Sequence, residues 1–188
     1  MLLPIFDFDG TLVDSDEALA APFVALGVPR EEVTFGHVLE DECRRRGIDV
    51  ADYLALYDPT ASKPFPGVED VIARLDRWAL CSNKRGTDGR AELARFGWRP
   101  EVALFADAFG GGPKQLAPVL DALAVDPGEV VFVGDTAHDR ACANAVGCRF
   151  ALAGWNTRAV PEPGDIVLAQ PADLVVTRVG DSPAHRRL

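Results

Sequence analysis

Lysine is nearly missing from this chain. Of 19 basic residues in 188, only Lys63, Lys84 and Lys114 are lysines; the other sixteen are arginines. A compact ammonium and a planar guanidinium are not interchangeable. A lysine kept against that bias is a nudge toward a position where its chemistry matters, and no more than that. Positive charge is short as a whole. With 29 acidic residues the net charge is -10, which argues against nucleic acid, whose phosphates would be repelled. A small phosphate is still allowed, because a local cation overrides the global sign. No long apolar run is present. The N-terminal one, Leu3 to Phe6, is too short for a signal peptide and has no basic flank, so neither export nor a membrane partner is expected. Cys43, Cys81, Cys142 and Cys148 form no C-x-x-C pair. Reduced thiols in a cytoplasmic protein account for them, and a structural zinc site is not indicated. Internal repeats and low-complexity segments are also lacking. What remains is one soluble domain by size, or one domain with a small insertion.

What is there begins with Leu3-Pro4-Ile5-Phe6-Asp7-Phe8-Asp9-Gly10-Thr11-Leu12, an apolar run ending in two carboxylates one residue apart. A strand puts residues i and i+2 on the same side, so Asp7 and Asp9 should point the same way at its carboxyl end. At ~4 Å and an effective dielectric of ~20, two such charges repel by about 4 kcal/mol. A fold tolerates that with a cation, a shared proton or a wide separation. Gly10 follows, where the backbone must turn or admit a close neighbour.

From Ser15 to Pro64 the pattern is helical. Asp14-x-x-Glu17 predicts a cap for a helix through Ala18 to Leu26, shortened or bent by Pro22 and ended by Gly27 and Pro29. Thr34 predicts the N-cap of a second helix reaching Arg46, with Gly47 as its stop. Asp49 starts a third, Val50 to Tyr57. This insertion is too small for a self-sufficient core and should lean on the rest. Val68, Val71, Ile72 and Leu75 then follow helical spacing. Trp78 to Cys81 reads as a buried strand ending at Ser82-Asn83-Lys84. A helix from about Gly89 to Phe96, a short strand within Leu104 to Phe109, and a Gly110-Gly111-Gly112-Pro113 loop lead to Lys114. Leu116 to Leu123 reads as helix. Glu129 to Gly134 is the clearest strand, apolar on both faces as a parallel sheet requires. It ends at Asp135, with Asp139 four residues on and a small-residue helix closing at Gly147. Cys148 to Ala153 reads as a last core strand, Ile166 to Leu168 as an edge strand, and Pro171 as the start of a final helix or strand. Asp181 to Leu188 should fray. Strands alternating with helices imply an α/β doubly wound, Rossmann-like parallel sheet with ligands at the strands' carboxyl ends.

The chemically suggestive residues all fall at those ends. Asp7-Phe8-Asp9-Gly10-Thr11, Ser82, Lys114 and Gly134-Asp135-x-x-x-Asp139 resemble, in order and in context, the four signatures of the haloacid dehalogenase (HAD) superfamily. The resemblance covers about residues 4 to 178 and is to the phosphoglycolate phosphatases and their relatives. It implies a core of residues 1–14 and 65–188 with a small helical cap at 15–64. It also implies a Mg2+-dependent phosphatase of small phosphorylated metabolites, monomeric or homodimeric, working through an aspartyl-phosphate. Asp7 is then the nucleophile and Asp9 the general acid and base. Ser82, Asn83 and Lys114 are the candidates to bind the phosphoryl group, with a structural or peripheral role as the alternative for Asn83. Asp7, Asp135, Asp139 and the backbone carbonyl of Asp9 supply an oxygen shell suited to Mg2+. Lys84 is read as structural or peripheral.

The pattern departs from the family at Lys114, where Pro113 precedes the lysine and Gln115 follows. The cap is also short; His37, Arg44, Arg45, Arg46, Tyr53 and Tyr57 are its candidates to face a ligand. Dehalogenation and phosphonate hydrolysis are disfavoured, because those relatives lack an acid matching Asp9. A phosphomutase of the β-phosphoglucomutase type keeps both acids and stays open, as does a non-catalytic HAD-fold binding protein.

Overall fold

In the computed structural model, residues 2–176 are described. The chain opens with β1 (Leu3–Phe6) and β2 (Val13–Asp14), then runs through α1 (Asp16–Ala25), α2 (Leu39–Arg46) and α3 (Val50–Leu56) to β3 (Lys63–Pro64). Next come α4 (Val68–Ile72), β4 (Ala79–Cys81), α5 (Gly86–Phe96), β5 (Val102–Leu104) and α6 (Ala117–Leu123). The chain continues with β6 (Val130–Gly134), α7 (Ala137–Val146), β7 (Arg149–Ala153) and β8 (Ile166–Leu168), and a 3-10 turn follows at Pro171–Val176.

Six strands make one all-parallel sheet in the order β5-β4-β1-β6-β7-β8. The first strand is central, and the chain winds outward from it to one side and then to the other. The crevice beside β1 and β6 is the switch point where such sheets bind ligands. Alternation along each strand builds the two covering layers. Phe6, Leu80, Val131 and Val133 face one side with Val68, Val71, Ile72 and Leu93 of α4 and α5. Ile5, Ala79, Cys81, Val130 and Phe132 face the other with Val119, Leu120, Leu123 and Ala143 of α6 and α7. All five residues of β6 are buried, because both faces are covered. The four cysteines are free and buried.

Between β2 and β3, helices α1 to α3 surround a smaller apolar cluster of Ala20, Phe23, Val33, Cys43 and Tyr53. The two short strands pair antiparallel, with Val13 opposite Pro64 and Asp14 opposite Lys63, so the chain leaves and returns side by side. The segment leans on the sheet layers as its size requires. Tyr57 donates to Glu92, and Arg95 donates to the carbonyls of Pro59 and Ser62. No helix among the described residues is long and apolar enough to cross a membrane.

Several local expectations shift. Asp14 pairs in β2 instead of capping α1; Ser15 is the N-cap, without a side-chain bond, and Pro22 lies inside the helix. Thr34 caps nothing. Gly36, at φ 85°, turns the chain, and α2 starts only at Leu39. The Thr34 hydroxyl instead donates to Glu42 and accepts from Arg45. The strand expected within 104–109 lies earlier, because β5 stops at Leu104 where its partner Cys81 ends β4. Ala106–Phe109 is a 3-10 turn. The helix expected through Leu75 ends at Ile72. Asp49 does cap α3 as expected, accepting from the Ala51 amide. The tail from Asp181 onward lies outside the described residues.

Candidate active site

Phe8 is what separates the two leading acids from the core. Its ring is fully buried, edge-on to Trp98 and Phe105 at centroid distances of 6.3 and 6.2 Å. That anchors the intervening residue and turns Asp7 and Asp9 into one cavity, which Ser82, Asn83, Lys84 and Lys114 also line. Gly10 then bends back at φ 79°; a Cβ there would come within 2.5 Å of Asp135 Oδ2 and 2.7 Å of Arg158 Nη2. At the end of β6, a Cβ on Gly134 would overlap the Asp139 side chain, so that position also has to be bare.

Lys114 sits at the centre. Its side chain is 1% exposed, and its Nζ lies 2.7 Å from Asp7 Oδ1 and 2.5 Å from Asp139 Oδ1. Neither oxygen accepts a well-aligned hydrogen bond, so the contact is chiefly one of charge. The lysine's backbone is fastened as well: its amide donates to Asn83 Oδ1 at 2.6 Å, and its carbonyl accepts from the Cys142 thiol. The Asn83 amide nitrogen donates in turn to the carbonyl of Gly36. Asn83 thus brackets the Lys114 loop and the turn before α2 together. Ser82 is buried at the end of β4, its hydroxyl accepting from the Lys84 amide.

Asp135 accepts from Thr11, Asn156 and Arg158, at 3.1, 3.1 and 2.8 Å. Asp139 is fully buried early in α7 and completes a capping box with Thr136. It caps the helix and faces Lys114 at once, one carboxylate oxygen for each task. Burial pushes the Asp7 carboxyl up to about 6, with the Asp139 charge adding to this and Lys114 opposing it. Burial, then the charges of Asp7 and Asp139, push Asp135 up to about 8 against Arg158 and Lys114. Burial would also raise Asp139, but Lys114 and Thr136 outweigh it and hold this acid below the usual range.

One carboxylate oxygen from each of Asp7, Asp135 and Asp139 lies within 4.8 Å of the others, all three residues buried. Two of those acids are raised by burial and by the charge of acidic neighbours, Asp7 by Asp139 and Asp135 by Asp7 and Asp139. An all-oxygen set with unmet negative charge is what a hard divalent cation takes, so these residues fit Mg2+.

Lys84 is not peripheral. Its side chain is 3% exposed, with Nζ 2.8 Å from Asp9 Oδ1, 3.2 Å from Glu92 Oε1 and 3.3 Å from the Tyr57 hydroxyl. Burial works against its charge, but Asp9 and Glu92 outweigh it and hold the ammonium on. Burial raises Glu92 in spite of Lys84. Asn156 and Arg158 were not picked out from sequence, and Thr11 was quoted in the first signature without a role. The signal for Lys84 was the scarcity of lysine. For Asn156 and Arg158 it was their place in a polar stretch just past the carboxyl end of a core strand.

A family model for haloacid dehalogenase-like hydrolases matches residues 40–153. The chain belongs to that family. Among curated relatives, it is 33% identical to a phosphoglycolate phosphatase of Cereibacter sphaeroides, over 79% of this chain and 83% of that protein. It is 27% identical to a phosphoglycolate phosphatase of Aquifex aeolicus, over 93% and 95%. Among solved structures, a haloacid dehalogenase-like family hydrolase of Streptococcus pneumoniae aligns with a TM-score of 0.70 at 17% identity, covering 94% of this chain and 97% of that one. A HAD-superfamily hydrolase of Geobacter sulfurreducens gives 0.66 at 20%, covering 94% and 95%. At such identities the structural likeness speaks for the fold.

Proposed function

We propose that this hydrolase is a Mg2+-dependent phosphatase of small phosphate monoesters, with Asp7 as nucleophile and an aspartyl-phosphate intermediate. The observation that carries the reading is that Asp7, Asp9, Ser82 and Lys114 line one cavity at the strands' carboxyl ends, with Asp135 and Asp139 clustered against Asp7 behind it. The relatives' names point to the same reaction class. Residues 15–64 are taken as the cap, and 1–14 with 65–188 as the core.

Asp7, Asp135, Asp139 and the Asp9 carbonyl would hold the cation, which when bound supplies positive charge to the phosphoryl oxygens. An Asp7 oxygen attacks phosphorus in line as the bond to the ester oxygen breaks. Asp9 gives a proton to the departing alcohol, then takes one from the water that cleaves the phosphoaspartate. Ser82 and Lys114 donate to the phosphoryl oxygens. Lys84 holds the Asp9 carboxylate in place, and Asn83 acts by fixing the Lys114 loop.

Rapid-quench measurement with p-nitrophenyl phosphate separates the two acids. Asp7→Asn should form no covalent phosphate. Asp9→Asn should still be phosphorylated, because nitrophenolate leaves without a proton, and then stall for want of the base. Acid-base help is worth typically about 100 to 10,000-fold, enough to make that second step limiting. A burst in Asp7→Asn, or equal residual turnover by both variants, would show the roles to be misassigned.

A further inference from the structure

The cavity extends from the acids to the cap and is partly open to solvent. Its cap side is built from Leu19, Phe23, Val33, Phe35, Leu39 and Tyr53. The hydroxyls there are already engaged. Tyr53 donates to the Leu19 carbonyl, Tyr57 to Glu92, and Thr34 to Glu42. The one carboxylate in that wall, Glu42, carries Arg45 and Arg46, and neither arginine lines the cavity.

Every lysine and arginine that does line the cavity faces a carboxylate. Lys114 is held by Asp7 and Asp139, Lys84 by Asp9 and Glu92, and Arg85 lies 3.4 Å from Asp88. His37, the remaining base of the lining, is exposed. Away from the exposed His37 and the partly exposed Arg85, a second negative charge on the substrate would have to break a buried pair or sit against apolar side chains without a partner, and both are unfavourable.

Building on the phosphatase reading, we propose that the cap wall selects phosphate monoesters of uncharged, apolar alcohols, and that 2-phosphoglycolate is a poor ligand in spite of the relatives' names. The phosphate end is served by the inner cluster; the organic end meets aliphatic and aromatic surface. Burial of an apolar tail there is favourable in proportion to its area. Burial of a carboxylate is not.

The test compares 2-phosphoglycolate, its uncharged amide isostere and benzyl phosphate at fixed Mg2+. The first two match in shape and differ in charge; the third adds apolar area. Turnover is read on the wild-type protein, and binding by calorimetry on Asp7→Asn, which is expected not to consume the ligands. We expect benzyl phosphate to exceed 2-phosphoglycolate by about 30-fold in kcat/KM and in affinity, with the amide between them. Leu39→Lys, which puts a cation into the cap wall, should shift the ratio at least several-fold toward 2-phosphoglycolate. Equal treatment of the charged and uncharged esters, preference for 2-phosphoglycolate, binding of none, or a ratio that Leu39→Lys leaves unchanged would each overturn the proposal. If the wild-type protein hydrolyses no ester while the binding order holds, the phosphatase reading fails and the cap-wall preference stands.

Discussion

Replacing Lys114 by Met keeps much of the side chain's length and apolar stem but removes its charge. The ammonium is the partner of both Asp7 and Asp139, and all three side chains are 5% exposed or less. Breaking a buried pair by deleting one partner costs about 3–5 kcal/mol. Two acids share this lysine, but they are close neighbours and their losses do not add, so the same range is used for the whole change. For a chain of this size it corresponds to a fall in Tm of roughly 6–20 °C, at about 2–4 °C per kcal/mol. The stranded acids can escape by taking protons, and Asp7 already sits near 6 in the native site. The loss should therefore be larger at pH 8 than at pH 6, where protonation relieves it. Thermal unfolding of wild type and variant in chelator at both pH values is the assay, and millimolar Mg2+ should restore part of the difference. A Tm loss under about 3 °C at pH 8, or a larger loss at pH 6, would refute the claim that this lysine neutralises the acid cluster.

Asp135 gives a pH signature without any substitution. Its native value of about 8 lies above the ordinary 3.8, so its contribution to stability is full below about pH 4 and lost as pH rises through 8. Cation-free protein should weaken between pH 5 and 8 by up to about 1.4 kcal/mol per pH unit from this group; denaturant unfolding that shows stability rising across that range would contradict it. Millimolar Mg2+ should raise the Tm of wild type. An equal shift in Asp135→Ala would remove that residue from the metal site. Lys84→Met should slow hydrolysis of alkyl esters more than of p-nitrophenyl phosphate, because it loosens Asp9, the proposed proton donor; equal loss on both would leave Lys84 with a structural role alone. Selection among uncharged alkyl and aryl esters should stay loose, since the proposed cap is short; one of them preferred by more than ~1000-fold would mean that specific polar contacts exist there.

The acids and the sheet were legible because their signals are local. Asp7 and Asp9 follow an apolar run, Asp135 follows the most continuous one, and period two assigns their faces without any tertiary information. Lys114 stood out through the glycine-rich loop before it and the scarcity of its kind. The same scarcity applied to Lys84, but no motif supported it, and its partners Asp9 and Glu92 come from distant parts of the sequence. Lys63 shows why scarcity alone misleads, since it is exposed on β3. Thr34 failed for a physical reason: its capping pattern was sound, but Gly36 two residues later takes a left-handed turn that no helix continues through. The residues around Asp135 were illegible because hydrogen bonds to Asn156 and Arg158 are set by how the loop after β7 folds back over the first turn, which no local pattern encodes.

That fold-back sets when the site can exist. Trp155 and Asn156 hold the carbonyls of Thr11 and Gly10 across 144 and 146 residues, and Arg158 reaches Asp16 across 142. Such long-range closures are the slow part of folding, whereas the cluster inside 15–64 closes over short loops. As the chain emerges from synthesis, β1 must wait for β4 on one side and for β6 on the other before it is paired. The turn at Gly10 cannot be fastened until Asn156 is available. A chain ending just before Asn156 would carry every acid and lysine of the proposed chemistry, yet leave Asp135 without two of its three hydrogen-bond donors. The centre of the sheet would then be the first part made and the last part secured, with an apolar strand exposed in the interval to pair with whatever edge it meets.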